Sequence, residues 1–427
     1  MRGLKKWFLV VAVVFAAAES WGQAAPSPFT TYGIGEFFGN GLIHNQGTGT
    51  GVAQPQYWYI NNQNPALLVF NNLSVFQVGV IGESRSIKGD TTNERNTGGN
   101  LNYIAMAFPI KVTKWTTSIG LMPYTNVDFK FQYPDYARDP SGGIVDTLIT
   151  RETGSGGLTQ VYWSNGVRIT KDLSVGLRAS YMFGPISNVY TNVLTTQPNQ
   201  GDPYLVNIEN KKNIRGFNFG LGLSYSIDSL GRRKDRRLSI GAVYTLASDY
   251  KAKVNNLISR TSLAGDTIES YKISQSNGTV HLPESYTFGI SYARGSRWNV
   301  GAEFFYQDWS KFTSISEEDE GLVESWRGSV GGEYTADPYA LENYLKRITF
   351  RAGFAYQEYP YFANTARVKD YGINLGLSLP AGRSSVDIAA RFGKRGDKSV
   401  NVLEENYFRI FFGITFNDQW FIKRKFD

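Results

Sequence analysis

The 427-residue chain contains no cysteine. That removes a lipid-anchored N-terminal cysteine, structural disulfides, thiolate metal sites and cysteine nucleophiles. Histidine is almost as scarce, with only His44 and His281. A Ser–His site would have to be built on one of these two. No Gly-x-Ser-x-Gly elbow, His-Glu-x-x-His pair or Cys/His cluster is present. The sequence therefore predicts no enzyme, no cofactor and no metal. Its one dense acidic run, Glu317-Glu318-Asp319-Glu320, reads as a solvated loop rather than a calcium site. The net charge of +7 comes without a compact basic helix or an RNA-binding motif, so nucleic acid is not an expected partner. Long apolar runs are missing too. Beyond the N-terminus no stretch reaches the ~18 residues that a spanning helix needs.

Aromatic residues and glycine are abundant. The chain has 26 Tyr, 27 Phe and 45 Gly, yet its mean hydropathy is −0.30. A membrane barrel gives this balance, because half of each strand faces lipid and half faces a polar lumen. The first residues read as an export signal: Arg2, Lys5 and Lys6, then an apolar stretch from Trp7 to Ala18. Ser20 and Gly22 supply small residues for cleavage before Gln23. The expected division is a signal peptide over 1–22, an N-terminal hatch or plug over 23–72, and a barrel over 73–427. The 26–72 stretch is rich in Gly, Asn, Gln and Pro, carries scattered aromatics and shows no sustained period, as a plug of short elements would.

From about residue 73 the pattern alternates. Ile348, Phe350, Ala352, Phe354 and Tyr356 alternate with Arg347, Thr349, Arg351, Gly353 and Ala355. Similar runs occupy 297–306, 385–392 and 407–416. Successive side chains on a strand point to opposite faces, so each run has one apolar face. A charge facing mid-membrane lipid costs roughly 2–4 kcal/mol, which places Glu303, Arg327, Glu333, Arg351, Asp387, Arg391 and Arg409 in the lumen. There they read as a ladder of ion pairs that stiffens a sealed lumen, or as a polar pathway.

Counting these runs predicts an all-β fold, a transmembrane antiparallel β-barrel of about 14 strands. The segments are 73–83, 99–110, 114–125, 157–170, 172–185, 215–228, 236–248, 283–294, 297–309, 325–335, 347–359, 369–380, 384–394 and 405–416. Short links such as 111–113, 171, 295–296 and 381–383 alternate with long stretches at 84–98, 126–156, 186–214, 249–282 and 310–324. Short periplasmic turns and long external loops are the habit of outer-membrane barrels. One link on the short side, 336–346, is longer and carries a helical turn. The basic residues Lys423 to Lys425 sit beyond the last strand, at the level of periplasmic headgroups.

The chain resembles the FadL family of outer-membrane long-chain fatty acid and hydrocarbon transporters. Three stretches carry the resemblance. The first is the glycine run Gly47, Gly49, Gly51 followed by Asn64-Pro65-Ala66. The second is Leu282-Pro283-Glu284-Ser285 with Asp308-Trp309-Ser310, and the third is Ile348 to Tyr356. The resemblance implies a hatch built on the first of these. It also implies a lateral wall opening at a kink in the third strand, where Gly120 and Pro123 fall. The implied function is passive uptake of a hydrophobic small molecule such as a long-chain fatty acid. The mostly polar external stretches 126–156 and 186–214 depart from the family's greasy capture groove. They suit the alternative, a structural or adaptor subunit of an outer-membrane secretion or barrel-assembly machine. Expected surroundings are the bacterial outer membrane, its lipid and lipopolysaccharide, and other envelope proteins.

Overall fold

The computed structural model describes residues 24–89, 93–138, 141, 144–194, 204–231, 235–315 and 320–419. The proposed signal segment 1–22 and the tail 420–427, with Lys423 to Lys425, lie outside the described residues, as do Glu317 to Asp319.

A two-residue strand β1 (Glu36–Phe37) precedes the wall. The wall strands are β2 (Ser74–Lys88), β3 (Asn93–Lys111), β4 (Trp115–Pro123), β5 (Thr125–Arg138), β6 (Ile144–Gly156), β7 (Thr159–Arg168), β8 (Leu173–Leu194) and β9 (Tyr204–Leu230). They continue as β10 (Arg236–Thr245), β11 (Ser248–Ser262), β12 (Thr267–Leu282), β13 (Ser285–Arg294), β14 (Trp298–Asp308), β15 (Glu324–Thr335), β16 (Thr349–Ala363), β17 (Ala366–Ala381), β18 (Ser384–Arg395) and β19 (Glu404–Asp418). Four wall strands are interrupted once: β4 runs on into β5, β6 into β7, β10 into β11 and β12 into β13. With these joined, the wall is an antiparallel barrel of 14 strands. It closes where β19 pairs with β2, from Glu404↔Lys88 to Asp418↔Ser74. Closure satisfies backbone groups that lipid cannot. No helix among the described residues is long and apolar enough to cross a membrane.

The period-2 pattern does what burial energetics require. Phe350 and Phe354 are 49% and 44% exposed on the outside of β16, while Arg351 between them is 6% exposed and faces inward. Val300 and Phe304 likewise point out on β14. Short turns gather at the end of the barrel where Ser74 and Asp418 pair. This is the periplasmic end, and the long hairpins rise from the other.

The long stretches read from the sequence as loops are mostly strand. β5 and β6 pair from Val127↔Gly156 to Arg138↔Ile144. β8 and β9 pair out to Leu194↔Tyr204, and β11 and β12 out to Thr261↔Thr267. These extensions form an external sheet in the order β5–β6–β8–β9–β11–β12. The base of this sheet alternates, with Val127, Phe129, Tyr250 and Ala252 turned to an apolar core, but the signal fails toward the tips, where β12 is exposed on both faces and polar side chains are tolerated. Above the interruptions the wall has a seam. β3 pairs with β4 only from Ile104 to Lys111, and no ladder joins β3 to β5 among the described residues.

Candidate functional site in the barrel lumen

Residues 24–72 lie inside the wall. Small elements order them: a 3-10 turn at Pro28–Thr30, β1, the helix α1 (Ile43–Thr48) and a 3-10 helix at Pro65–Phe70. Each sequence-selected residue of this segment has a local task. Gly49 ends α1 in the left-handed region with φ 72°, and its N–H donates to the Asn45 carbonyl. A left-handed helix end favours glycine because no Cβ crowds the backbone. Gly47 lies against the backbone of Gly376 on β17, and a Cβ on Gly51 would overlap the Gln63 side chain. Asn64 caps the second 3-10 helix by accepting from the Ala66 N–H, and donates to the carbonyls of Val52 at 2.8 Å and Leu223 at 2.9 Å. Pro65 and Ala66 fill the space over Gly166, Gly176 and Gly222 of the wall.

The seven inward charges named from the sequence all face this lumen. Glu303 accepts from the N–H groups of Gly51 at 3.0 Å and Val52 at 3.1 Å. Arg327 donates to the Gly49 carbonyl at 3.1 Å. Arg351 pairs with Glu333 at 3.2 Å and donates to Ser378. Asp387 accepts from Ser378, Ser385 and Thr415. Arg391 pairs with Asp370 at 2.9 Å. Arg409 pairs with Glu83 at 3.2 Å and with Glu36 at 2.5 Å.

Glu36 is the centre that sequence reasoning missed. Its carboxylate meets Arg85 at 2.8 Å, Arg395 at 2.5 Å and Arg409 at 2.5 Å. Arg85 also pairs with Glu83 and Glu405, and Arg395 with Asp370. The Ser27 hydroxyl donates to Glu405. Burial opposes ionisation of Glu36, but the guanidiniums, Arg395 foremost, outweigh it and hold the carboxyl well below its ordinary value of 4.5. A signal was available: Glu36 is the one Asp, Glu, Lys or Arg between residues 24 and 72. Arg85 and Arg395 were hidden by falling just beyond the alternating runs.

The same segment spans the seam between β3 and β5. On one side Ala25 N–H donates to Glu83 at 2.8 Å, and Asn96 of β3 donates to the Pro26 carbonyl at 3.4 Å. On the other, Ser27 N–H donates to the Asp128 carbonyl at 2.7 Å, and β1 pairs with β5 at Glu36↔Asn126 and Phe37↔Thr125. Pro123 is the last residue of β4, one residue before the interruption at Tyr124. Gly120 sits within β4, where a Cβ would press on the Tyr162 ring.

A cavity of about 270 Å³ remains, lined by Tyr32, Phe37, Tyr124, Met182 and Trp309 together with Glu36, Arg178 and Arg395. Arg178 is buried and donates to the carbonyls of Asn62 and Gln63. The two histidines are far apart in role. His44 stacks on Tyr59 at 4.7 Å within the N-terminal segment. Burial and then Arg351 hold its imidazole well below its ordinary value. His281 pairs with Asp249 at 2.6 Å on the external side. No cluster of metal-ligating side chains occurs among the described residues.

Comparison with solved structures places the fold beside hydrocarbon channels. The toluene transporter TodX of P. putida shares 15% identity at TM-score 0.57, covering 91% of this chain and 100% of that one. A FadL homologue of Pseudomonas aeruginosa shares 12% at TM-score 0.56, covering 89% and 98%. The monoaromatic hydrocarbon channel CymD shares 16% at TM-score 0.54, covering 90% and 98%. At such identities the likeness is one of fold, that of a FadL-like barrel. No curated protein matches the chain in sequence. A family model described as BamG matches residues 4–427, so the chain belongs to the BamG family.

Proposed function

We propose that this barrel is a structural subunit of an outer-membrane protein secretion or barrel-assembly machine, its lumen stopped by its own N-terminal segment. Residues 1–22 act as the export signal, and 23–72 as the plug. The supporting observation is Glu36, the one Asp, Glu, Lys or Arg of residues 24–72, held by Arg85, Arg395 and Arg409 of three wall strands. Removing one partner of a buried ion pair costs about 3–5 kcal/mol, because the remaining charge is stranded. A mobile plug would have to break these pairs together with the bonds of Glu303 and Arg327 to Gly49, Gly51 and Val52. A neutral hydrocarbon offers no counter-charge for them, so it has no differential affinity with which to shift the plug, and a fatty acid brings a single carboxylate against three guanidiniums. The hydrocarbon channels share the fold at 12–16% identity, which leaves this chain free to have lost their task.

Uptake of a hydrophobic small molecule is the second reading. It is favoured by the aromatic-lined cavity and by the wall interruption after Pro123. At about 270 Å³ the cavity falls just short of the roughly 300–1,000 Å³ of sites for drug-sized ligands.

Gentle-detergent extraction of the native protein, with mass spectrometry of bound proteins and lipids, separates the two. A stoichiometric set of envelope proteins is expected. A lone barrel carrying a fatty acid or another hydrophobic compound would overturn the machine reading in favour of uptake.

A further inference from the structure

Among the described residues, the connections on the short-turn side carry at most a single exposed apolar residue, such as Val112 or Ile169, except one. Links at 112–114, 295–297 and 382–383 turn the chain at once. Between β15 and β16, residues 336–348 instead form a projecting turn. It is ordered. Asp337 N–H donates to the Lys346 carbonyl at 2.9 Å, and the Asp337 carboxylate accepts from Tyr339 N–H at 3.1 Å. The Asn343 side chain accepts from Leu345 N–H at 3.0 Å, starting a 3-10 helix over Tyr344–Arg347. Pro338 fixes its own φ between these bonds.

This rigid frame presents apolar side chains to water. Leu341 is 96% exposed, Tyr339 80% and Leu345 69%. An exposed apolar cluster on an ordered element marks an interaction site far more than a loop tip of small polar residues does. Its position argues against lipid. The cross-strand pair Trp298↔Tyr334 is the last outward aromatic pair on β14 and β15, and such residues mark the headgroup level. The turn begins beyond that pair. Charge supplies the complement: Asp337 and Glu342 are outnumbered by Lys346 and Arg347 on the turn with Arg297 on the adjoining link, and Lys346 and Arg297 are exposed with no carboxylate partner among the described residues. The links are tied together, since Thr335 N–H donates to the Arg297 carbonyl at 2.7 Å.

We propose that the 336–348 turn is a docking knuckle for a periplasmic protein that offers an apolar pocket rimmed by carboxylates. Leu341 and Leu345 enter the pocket, and Lys346 and Arg297 meet its acidic rim. The inference rests on the machine reading and gives it a contact surface.

The test uses the full-length protein extracted with its co-purifying envelope proteins. Leu341→Ser with Leu345→Ser in one chain should weaken retention of a partner at least tenfold, while the heat-dependent gel shift of a folded barrel is kept. Lys346→Glu with Arg297→Glu should weaken it comparably, and added salt should weaken the wild-type contact. Full retention in both variants would overturn the knuckle and leave the machine reading standing. A wild-type barrel that comes out alone would overturn both. A Leu341→Trp chain in vesicles, quenched by brominated phospholipid, would assign the turn to the membrane and overturn the inference.

Discussion

Arg395, at the end of β18, reaches back across the lumen to Glu36 at 2.5 Å, joining residues 359 positions apart in the chain. Ion pairs of this kind are weak evidence of stability in themselves, since desolvation offsets much of the attraction. Their consequence is specificity: a shift of the N-terminal segment that carried Glu36 away would strand the charges of Arg85, Arg395 and Arg409. Replacing Glu36 by Ala should therefore cost about 3–5 kcal/mol locally. Hydrogen exchange at residues 24–48 should rise sharply, with β16 to β19 little changed. Unaltered protection of 24–48 would show that the network is ornamental to docking.

Acid should act through the same group. The folded-state carboxyl of Glu36 titrates well below 4.5. A depressed folded value contributes stability above the unfolded value, and that contribution fades as pH falls from about 4.5 through the folded value. Protease resistance of the plug segment should hold at pH 5 to 8 and decline below about pH 4. Glu36→Gln should remove that decline.

Two glycines of the wall allow the N-terminal segment to touch it. A Cβ on Gly331 or on Gly353 would overlap the Thr48 carbonyl oxygen, whereas one on Gly328, on the same strand as Gly331, meets nothing within 4 Å. Gly331→Ala should destabilise by about 1–3 kcal/mol or more through overpacking. Gly328→Ala should be near neutral. Thermal melting in detergent distinguishes them.

Asn64 satisfies one N–H and two carbonyls at once. Asn64→Ala should cost about 1–3 kcal/mol by leaving buried groups unpaired. The loss should appear as faster proteolysis of the plug with the barrel intact.

The wall interruption can be tested for transport. Pro123→Ala restores a ladder donor at the end of β4. Under the machine reading, uptake of a fluorescent fatty acid by cells should not change. A marked loss would favour a lateral opening.

Alternation between residues 73 and 416 was enough to give the antiparallel barrel and its 14 strands, though not the parts of the wall in 126–156 and 249–282. Lipid excludes charge strongly enough to write itself into every second residue, as at Phe350, Arg351 and Phe354. The glycine run and Asn64-Pro65-Ala66 were legible as punctuation. The external sheet was not, because an extension such as Thr267–Thr279 has water on both faces and no periodic cost to record. Nor was the role of Glu36 legible. Its three guanidinium partners come from strands at opposite ends of the chain, and only closure of β19 on β2 brings Arg85 beside Arg395 and Arg409. Local pattern reports the solvent each residue faces. Which charge meets which is decided by the closed barrel, because that pairing is set by register across the sheet and not by neighbours in sequence.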